Sequence, residues 1–150
     1  MLRKPFSVLV VIYNELEQFL LLQRADDPDF WQSVTGGIDH DELPIETAYR
    51  ELKEETGIDA KALGIEIHAH HKTNRYQIRP QWLHRYEPGV TLNTEYVFSV
   101  QVPSNTPIQL AKDEHTDFVW LDKQQACERA WSPSNKDEIQ AITIVEPQKC

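Results

Sequence analysis

The sequence predicts an α/β (α+β) protein in which a mixed β-sheet is sandwiched between helices. Short apolar runs rich in β-branched residues recur along the chain, and each is of strand length. One longer segment instead carries its apolar residues at helical spacing. The predicted strands and helices interleave without the regular spacing of repeated βαβ units, which favours a mixed sheet covered by helices.

The N-terminal part of the chain predicts a hairpin of two buried strands. Ser7 to Tyr13 and Phe19 to Gln23 are apolar, and the polar residues Asn14 to Glu17 between them read as a turn. Ala25 to Phe30 is rich in turn-forming residues and predicts a loop. The pair Gly36–Gly37 then predicts a break in regular structure.

Leu43 to Thr56 is the clearest helix in the sequence. Pro44 suits the first turn of a helix, and Gly57 suits the residue just past its end. Apolar side chains at positions i, i+3, i+4 and i+7 form one stripe that faces the core; they are Ile45, Ala48, Tyr49 and Leu52.

The second half of the chain predicts three more strands and two helices. The strands are Ile65 to His71, Glu95 to Val102 and Phe118 to Leu121. The helices are Asp122 to Ala130 and Asn135 to Ile144. Ser132 and Ser134 precede the last helix, and capping of its N-terminus accounts for at least one of them.

Length and charge limit the classes of function. The 150 residues are enough for one ordinary domain, so we expect residues 1–150 to form a single domain. The net charge of −9 argues against a nucleic-acid or membrane partner, because both require a positive surface. Cys127 and Cys150 are too few for a disulfide framework. With no apolar run of membrane-spanning length and no secretory cleavage site, we expect a cytoplasmic protein, and no protein partner is implied.

Three glutamates lie on one side of the long predicted helix. Glu51, Glu54 and Glu55 are spaced i, i+3 and i+4, beside the apolar stripe. A solvated acidic face is the ordinary explanation, but like charges at these spacings repel. They also lie in the C-terminal half, where the helix dipole disfavours anions. A divalent cation held among them would explain the patch, and oxygen ligands select hard ions such as Mg²⁺ or Mn²⁺.

The helix glutamates complete a longer pattern. Its fixed positions are Gly36, Glu42, Arg50, Glu51, Glu54, Glu55 and Gly57, with aliphatic Leu52 and Ile58. At these spacings the chain resembles the Nudix hydrolase family, whose box reads Gly-x5-Glu-x7-Arg-Glu-U-x-Glu-Glu-x-Gly-U, with U aliphatic. The resemblance implies the Nudix fold, an α/β/α sandwich in which a loop, a helix and a second loop hold divalent metal ions against a diphosphate.

The resemblance also implies roles for individual residues. Glu51, Glu54 and Glu55 match metal-binding positions, and Glu54 or Glu51 is the candidate base for the attacking water. Glu114, on the loop before a late strand, is expected to be a further metal ligand, although without the box it would read as a solvated loop residue. The remaining box residues are expected to support the site; they are Gly36, Glu42 and Arg50.

Further segments resemble the branch of the family that acts on dihydroneopterin triphosphate. They are residues 26–36, 84–86, 88–91 and 93–95. The resemblance implies that substrate contacts come from the following residues: Arg3, Arg24, Thr35, Arg75, Tyr76, Gln77, Ile78 and Ser134.

Residue chemistry is compatible with such a ligand. A flat pterin ring needs an aromatic wall and a hydrogen-bond acceptor, and the candidates for the wall are Phe30, Trp31, Tyr76 and Trp82, although packing in the core would explain them equally well. Candidates for binding phosphates are Arg3, Lys4, Arg24, Arg75, Arg79 and Arg85. His68 and His70 would share one strand face, but no third ligand has the spacing of a zinc site, and ordinary strand histidines are favoured.

The resemblance implies a Mg²⁺-dependent enzyme, with Mn²⁺ as a possible substitute. It would hydrolyse dihydroneopterin triphosphate to dihydroneopterin monophosphate and pyrophosphate, a step of folate biosynthesis, with water attacking the α-phosphorus. The first alternative is a pyrophosphohydrolase acting on nucleoside triphosphates such as dATP. The second is a Nudix module that binds without catalysis, which the intact box disfavours.

Overall fold

A computed structural model describes residues 2–143 of the chain. Seven strands form one mixed sheet: β1 (Phe6–Tyr13), β2 (Gln18–Arg24), β3 (Trp31–Gln32), β4 (Val34–Gly37), β5 (His68–Gln77), β6 (Leu92–Gln101) and β7 (His115–Asp122). Three α-helices accompany it: α1 (Pro44–Thr56), α2 (Lys123–Arg129) and α3 (Pro133–Ala141). A 3-10 helix, Pro80–Arg85, connects β5 to β6.

β1 lies at the centre of the sheet. The main path of the sheet runs β3-β2-β1-β6-β5, while β4 pairs with β1 and β7 pairs with β2. β1 runs parallel to β6 over its whole length and antiparallel to β4. The predicted hairpin of β1 and β2 is short, with Tyr13 paired to Phe19. β1 pairs with β4 from Ser7 to Val10, and β2 pairs with β7 from Gln18 to Arg24.

Helices cover both faces of the sheet, which confirms the predicted sandwich. On one face, α1 packs Ala48 and Leu52 against alternate β1 residues such as Val8 and Val10. On the other face, α2 and α3 pack Ala126 and Ile139 against the intervening β1 and β2 residues. The two-residue alternation of a strand places successive β1 side chains in different cores.

The clearest helix spans Pro44–Thr56 and so starts one residue later than predicted. α1 begins at Pro44, where the Glu46 carboxylate accepts a hydrogen bond from the Leu43 N–H at 2.8 Å. Its last residue is Thr56, and Gly57 follows as the C-cap with a left-handed φ of 77°. The Gly57 N–H donates to the Lys53 carbonyl at 2.9 Å. Because the residue past the helix needs this conformation, glycine is favoured there.

Some predicted bounds were wrong. The strand expected over Ile65–His71 instead starts at His68 and runs to Gln77. Ile67 precedes the strand, where it is buried against the α1 core and its N–H donates to the Tyr49 hydroxyl at 3.0 Å. β5 itself is mostly polar and exposed, so apolar patterning could not locate it.

One smaller expectation was wrong, and another is confirmed for one of its two serines. Gly36 and Gly37 do not break the sheet, because they pair with Val8 and Ser7 as part of β4. Ser132 is the N-cap of α3, accepting from the Asn135 N–H, whereas Ser134 lies inside the first helical turn rather than before it. The predicted end of this helix at Ile144 lies outside the described residues.

Across residues 2–143, we find no helix that combines the length and the apolar character needed to cross a membrane.

Candidate active site

The glutamates of α1 lie at different depths. Glu51 and Glu55 are buried, 9% and 1% exposed, because their side of the helix turns toward the sheet. Glu54 lies on the outer side and its side chain is 55% exposed. Burial raises the pKa of Glu51, and burial together with the charge of Glu51 raises the pKa of Glu55 well above its usual range. Two carboxyl groups held together out of water are unfavourable as anions, and a bound cation would offset their repulsion.

Arg50 organises the approach to this patch. Its guanidinium donates to both carboxylate oxygens of Glu42, at 2.8 and 2.9 Å, and to Glu51 at 2.7 Å. It also donates to the Gly37 carbonyl at 3.1 Å and lies 3.3 Å from the Glu54 carboxylate. The hydrogen bond from Arg50 lowers the pKa of Glu42 to about 2, so Glu42 is ionised at neutral pH. Glu42 and Arg50 thus hold the loop, the helix and Glu51 in fixed relation.

Gly36 makes room for the carboxyl group of Glu51. A Cβ atom at Gly36 would overlap Cδ and Cγ of Glu51, so the Glu51 side chain would have to move. The neighbouring Gly37 has nothing within 4 Å of such an atom. The requirement for glycine at position 36 therefore comes from the Glu51 side chain.

A second acidic group meets α1 from the loop before β7. Carboxylate oxygens of Glu55 and Glu114 and a ring nitrogen of His115 all lie within 4.8 Å of one another. His115 Nδ1 is 3.6 Å from Glu55 Oε1, while Glu55 Oε2 and His115 Nδ1 are buried without a hydrogen-bond partner among the described residues. Burial lowers the pKa of His115 to about 4, so its ring is neutral at pH 7. An orphaned buried carboxylate oxygen beside a second carboxylate fits a divalent cation.

His115 was not among the residues that the sequence indicated as functional. It is 3% exposed, and its Nε2 lies 3.1 Å from the Gln32 amide nitrogen. The sequence offered one indication, its position next to Glu114. A single histidine at the start of a β-strand belongs to no repeating pattern that would mark it as functional. Gln32 also lines the cavity described below, so it lies between that cavity and the group formed by Glu55, Glu114 and His115.

A cavity of about 440 Å³ opens on the α3 face of the sheet, and Gly36 and Gly37 form its border with the glutamate patch. All the substrate residues suggested by the sequence line it: Arg3, Arg24, Thr35, Arg75, Tyr76, Gln77, Ile78 and Ser134. Six cationic side chains contribute to its wall, namely Arg3, Lys4, Arg24, Arg75, Arg79 and Arg85. The cavity thus gathers positive charge in a chain whose net charge is −9.

An aromatic wall does form in this cavity, but its members differ from the predicted set. Phe30 stacks on Trp131 with ring centroids 4.5 Å apart, and Trp82 lies 6.0 Å from Phe30. Trp31 was expected here; it packs instead beside the α2–α3 core, and its ring centroid lies 5.3 Å from the Arg129 guanidinium. Trp131 was missed, since it precedes a helix and has no neighbouring pattern.

Cations and aromatic rings alternate in the wall. The Arg79 guanidinium lies 4.8 Å from the Trp82 ring centroid and 4.7 Å from that of Trp131. The Arg24 guanidinium lies 4.5 Å from the centroid of Trp82 and donates to both Asp26 oxygens at 2.8 Å. Such cation–π contacts hold long arginine side chains in place and leave flat rings at the cavity surface.

The β5 histidines are arranged as ordinary strand residues. His68 and His70 contact each other edge to face at 5.4 Å, and His70 Nε2 lies 2.7 Å from the Ser99 hydroxyl. The groups of possible metal ligands found within residues 2–143 do not include these histidines.

The fold, the intact box and the glutamate patch define a class of protein. A family profile of the NUDIX domain matches residues 3–141, and the chain belongs to the Nudix family. Within that family it is 41% identical over 143 residues to the dihydroneopterin triphosphate diphosphatase of Escherichia coli K12, covering 95% of this chain and 94% of that protein. A Haemophilus influenzae protein of the same name is 40% identical over 134 residues, covering 89% and 84% of the two chains.

A solved structure agrees with the sequence relatives. The structure of the E. coli dihydroneopterin triphosphate pyrophosphohydrolase superposes on this chain with a TM-score of 0.88. The two are 40% identical, and the match covers 93% of this chain and 95% of the other.

Proposed function

We propose that this chain is a Mg²⁺-dependent pyrophosphohydrolase of dihydroneopterin triphosphate. The products are dihydroneopterin monophosphate and pyrophosphate, formed in the cytoplasm by a single Nudix domain. Two relatives that match nearly the whole chain at 40–41% identity carry the name of this activity. Triphosphate hydrolysis also agrees with a small-molecule substrate and with the acidic surface of the chain, which disfavours nucleic acid.

One observation carries the proposal: a cationic, aromatic-walled cavity borders a buried carboxylate patch at Gly36. The aromatic wall suits a flat ring, and the arginines suit phosphates. The carboxylates suit the metal ions that accompany a polyphosphate. A triphosphate that joins a flat ring to a charged chain needs both regions side by side.

Glu51, Glu55 and Glu114 would hold the metal, with Glu54 on the solvent side of the same helix. Mg²⁺ is the expected ion and Mn²⁺ a possible substitute, because the ligands are oxygen atoms. A bound divalent ion would neutralise phosphate charge and lower the pKa of an attacking water. The ring of His115 lies beside Glu55 and is neutral, so it does not repel a cation bound by Glu55.

The remaining roles fall to residues of the chain. Arg3, Arg24 and Arg75 bind the phosphate oxygens, and Thr35, Gln77, Ile78 and Ser134 contact the rest of the substrate. Glu54 or Glu51 accepts the proton of the attacking water, which adds to the α-phosphorus while pyrophosphate leaves. Glu42 and Arg50 do not touch the substrate; they orient Glu51 and the loop.

A substrate panel tests this function. Purified protein with Mg²⁺ is offered dihydroneopterin triphosphate and dATP, and kcat/KM is measured for each, with excess chelator as the control for metal. We expect the pterin substrate to have the larger kcat/KM and the chelator to abolish turnover. A larger kcat/KM for dATP would favour the nucleotide-pool alternative, and failure to hydrolyse either substrate would contradict catalysis by this domain.

A further inference from the structure

The cavity contains a carboxylate to which the proposed reaction assigns no role. Glu95 lies in the middle of β6 and is 3% exposed. It pairs in register with Ser7 on β1, which places its side chain on the α3 face of the sheet, where it lines the cavity. The glutamates of α1 lie on the opposite face. Glu95 is therefore separate from the metal patch.

Glu95 is buried without a cation. The Ser134 hydroxyl donates to its Oε1 at 3.2 Å, and within residues 2–143 no lysine, arginine or histidine forms an ion pair with it. Burial is the main reason that its pKa is raised to about 7. A buried carboxylate normally has a charged partner, because removing it from water is unfavourable. An unpaired one in a cavity points to a ligand that supplies hydrogen-bond donors.

Neighbouring polar groups are already engaged with each other. Glu138 on α3 pairs with Lys72 at 2.8 Å and accepts from the Asn74 amide at 2.8 Å. The Asn93 amide donates to the Ser7 hydroxyl at 2.7 Å and to the Tyr76 hydroxyl at 3.0 Å. These contacts fix the polar floor of the cavity, and among residues 2–143 none of them pairs Glu95 with a cation.

The pyrimidine edge of a pterin matches such a group. It presents two adjacent donors, the ring N3–H and the 2-amino group, and a carboxylate presents two acceptors side by side. We propose that Glu95 selects the ring of the substrate by accepting hydrogen bonds from N3–H and the 2-amino group of the pterin. This inference rests on the proposed function, because it assigns to Glu95 the recognition of the ring in the same site.

Adenine would form different hydrogen bonds with Glu95. Its edge offers one donor, the 6-amino group, beside one acceptor, N1, so an ionised carboxylate satisfies the first and opposes the second. A glutamine amide offers one acceptor and one donor and would fit adenine better than pterin. Exchanging Glu95 for glutamine should therefore change which ring is preferred, which a purely structural role would not do.

The test compares two substrates in three proteins. kcat/KM is measured for dihydroneopterin triphosphate and dATP with the wild type, Glu95→Gln and Asp137→Asn, the last being an exposed acid on the cavity rim that undergoes the same charge change. Glu95→Gln should lower the pterin value by about tenfold or more, mostly through KM, without lowering the dATP value. Asp137→Asn should leave the ratio unchanged. An equal loss on both substrates, or no change on either, would overturn the assignment.

A second measurement does not depend on the folding of a variant. Neopterin and its 2-oxo counterpart, a lumazine in which an acceptor replaces the 2-amino donor, are compared as inhibitors of wild-type dATP hydrolysis. Neopterin should inhibit at a concentration lower by about tenfold. Equal inhibition by the two compounds, or none by neopterin, would contradict the inference.

The two proposals can fail separately. If the wild type hydrolyses dATP but not dihydroneopterin triphosphate, the proposed function fails, while an advantage of neopterin over the lumazine still supports Glu95 as the reader of the ring. If the pterin triphosphate is the better substrate and Glu95→Gln keeps the wild-type ratio, the function stands and the role of Glu95 is wrong.

Discussion

At the scale of single residues, the contact between Gly36 and Glu51 can be tested with an internal control. Gly36→Ala would make a methyl group overlap Glu51 Cδ, so the Glu51 carboxyl must move away from its position beside Glu55. Because the far end of a flexible side chain can yield, we expect the free energy of unfolding to change by less than about 1 kcal/mol. The affinity for Mg²⁺ should fall by about tenfold or more.

Gly37→Ala is the matched control for this change. A methyl group at Gly37 meets nothing within 4 Å, so Mg²⁺ affinity and activity should remain near wild type. Mg²⁺ affinity is measured by calorimetry and unfolding by urea titration. Equal effects of the two alanines on Mg²⁺ affinity would mean that Gly36 acts through the backbone rather than through Glu51.

Glu55 is the most deeply buried glutamate of α1, and replacing it should separate the effect on stability from the effect on metal binding. Glu55→Gln relieves repulsion from Glu51 and Glu114, so without metal the variant should melt at or above the wild-type Tm. Wild type should gain Tm when Mg²⁺ is added, because a ligand that binds the native state stabilises it, and Glu55→Gln should lose most of this gain. Glu66→Gln, an exposed site, is the control. A normal Mg²⁺-dependent gain in Glu55→Gln would remove Glu55 from the metal site.

Glu114 can be compared with its own neighbour. Both Asp113 and Glu114 are exposed loop acids, but in the group of possible metal ligands it is Glu114 whose carboxylate oxygen lies with a carboxylate oxygen of Glu55 and a ring nitrogen of His115. We expect Glu114→Gln to lower kcat by about tenfold or more and Asp113→Asn to have little effect. Steady-state kinetics at saturating Mg²⁺ would show it, and similar small effects from both changes would make Glu114 an ordinary solvated residue.

The sequence predicted the site residues that belong to a spaced motif and missed those that do not. Glu51 and Glu55 could be placed together because a helix fixes the relation of residues four apart. His115 and Trp131 come from a strand start and from the residue before a helix, where no periodicity marks a side chain as functional. Trp31 was misplaced as well, because local sequence does not show which of several neighbouring aromatic side chains reaches the cavity.

At the scale of elements, the loop before α1 and the helix itself are joined by an ion pair whose effect depends on pH. The pKa of Glu42 is lowered to about 2 in the folded chain by Arg50, from an ordinary value near 4.5. A depressed pKa means that the stabilisation is present above about pH 4.5 and is lost as the pH falls toward 2. The wild type should therefore lose stability in that window.

Glu42→Gln tests this contribution. Its free energy of unfolding should be lower than that of wild type at pH 7, and the difference should shrink between pH 4.5 and 2, since the variant has no charge to lose there. Urea unfolding at several pH values measures this, with the exposed Glu87→Gln as control. A difference from wild type that is constant with pH would mean that the pair with Arg50 does not stabilise the fold.

Elements with a clear hydrophobic pattern were predicted well and polar ones were not. α1 has both an apolar stripe and end signals, and its bounds agree with the sequence to within one residue. β5 lies at the edge of the sheet with both faces largely exposed, so its identity as a strand comes from pairing with β6. That pairing is long-range information that local sequence does not carry.

At the scale of the whole molecule, charge is segregated. The chain carries a net charge of −9, yet six cationic side chains face one cavity, and the buried carboxylates of α1 lie just across Gly36 from it. This separation gives a triphosphate a positive wall on one side and a place for divalent ions on the other. In the proposed reaction the phosphates lie across the border between these two regions.

The position of bond cleavage is therefore the most direct test of the account. Hydrolysis of dihydroneopterin triphosphate in ¹⁸O-labelled water with Mg²⁺, followed by mass spectrometry of the products, identifies the phosphorus that water attacks. We predict dihydroneopterin monophosphate carrying the label and unlabelled pyrophosphate. Label in the pyrophosphate would mean attack at the β-phosphorus, and free phosphate as the first product would mean loss of the γ-phosphate; either result would contradict the proposed reaction.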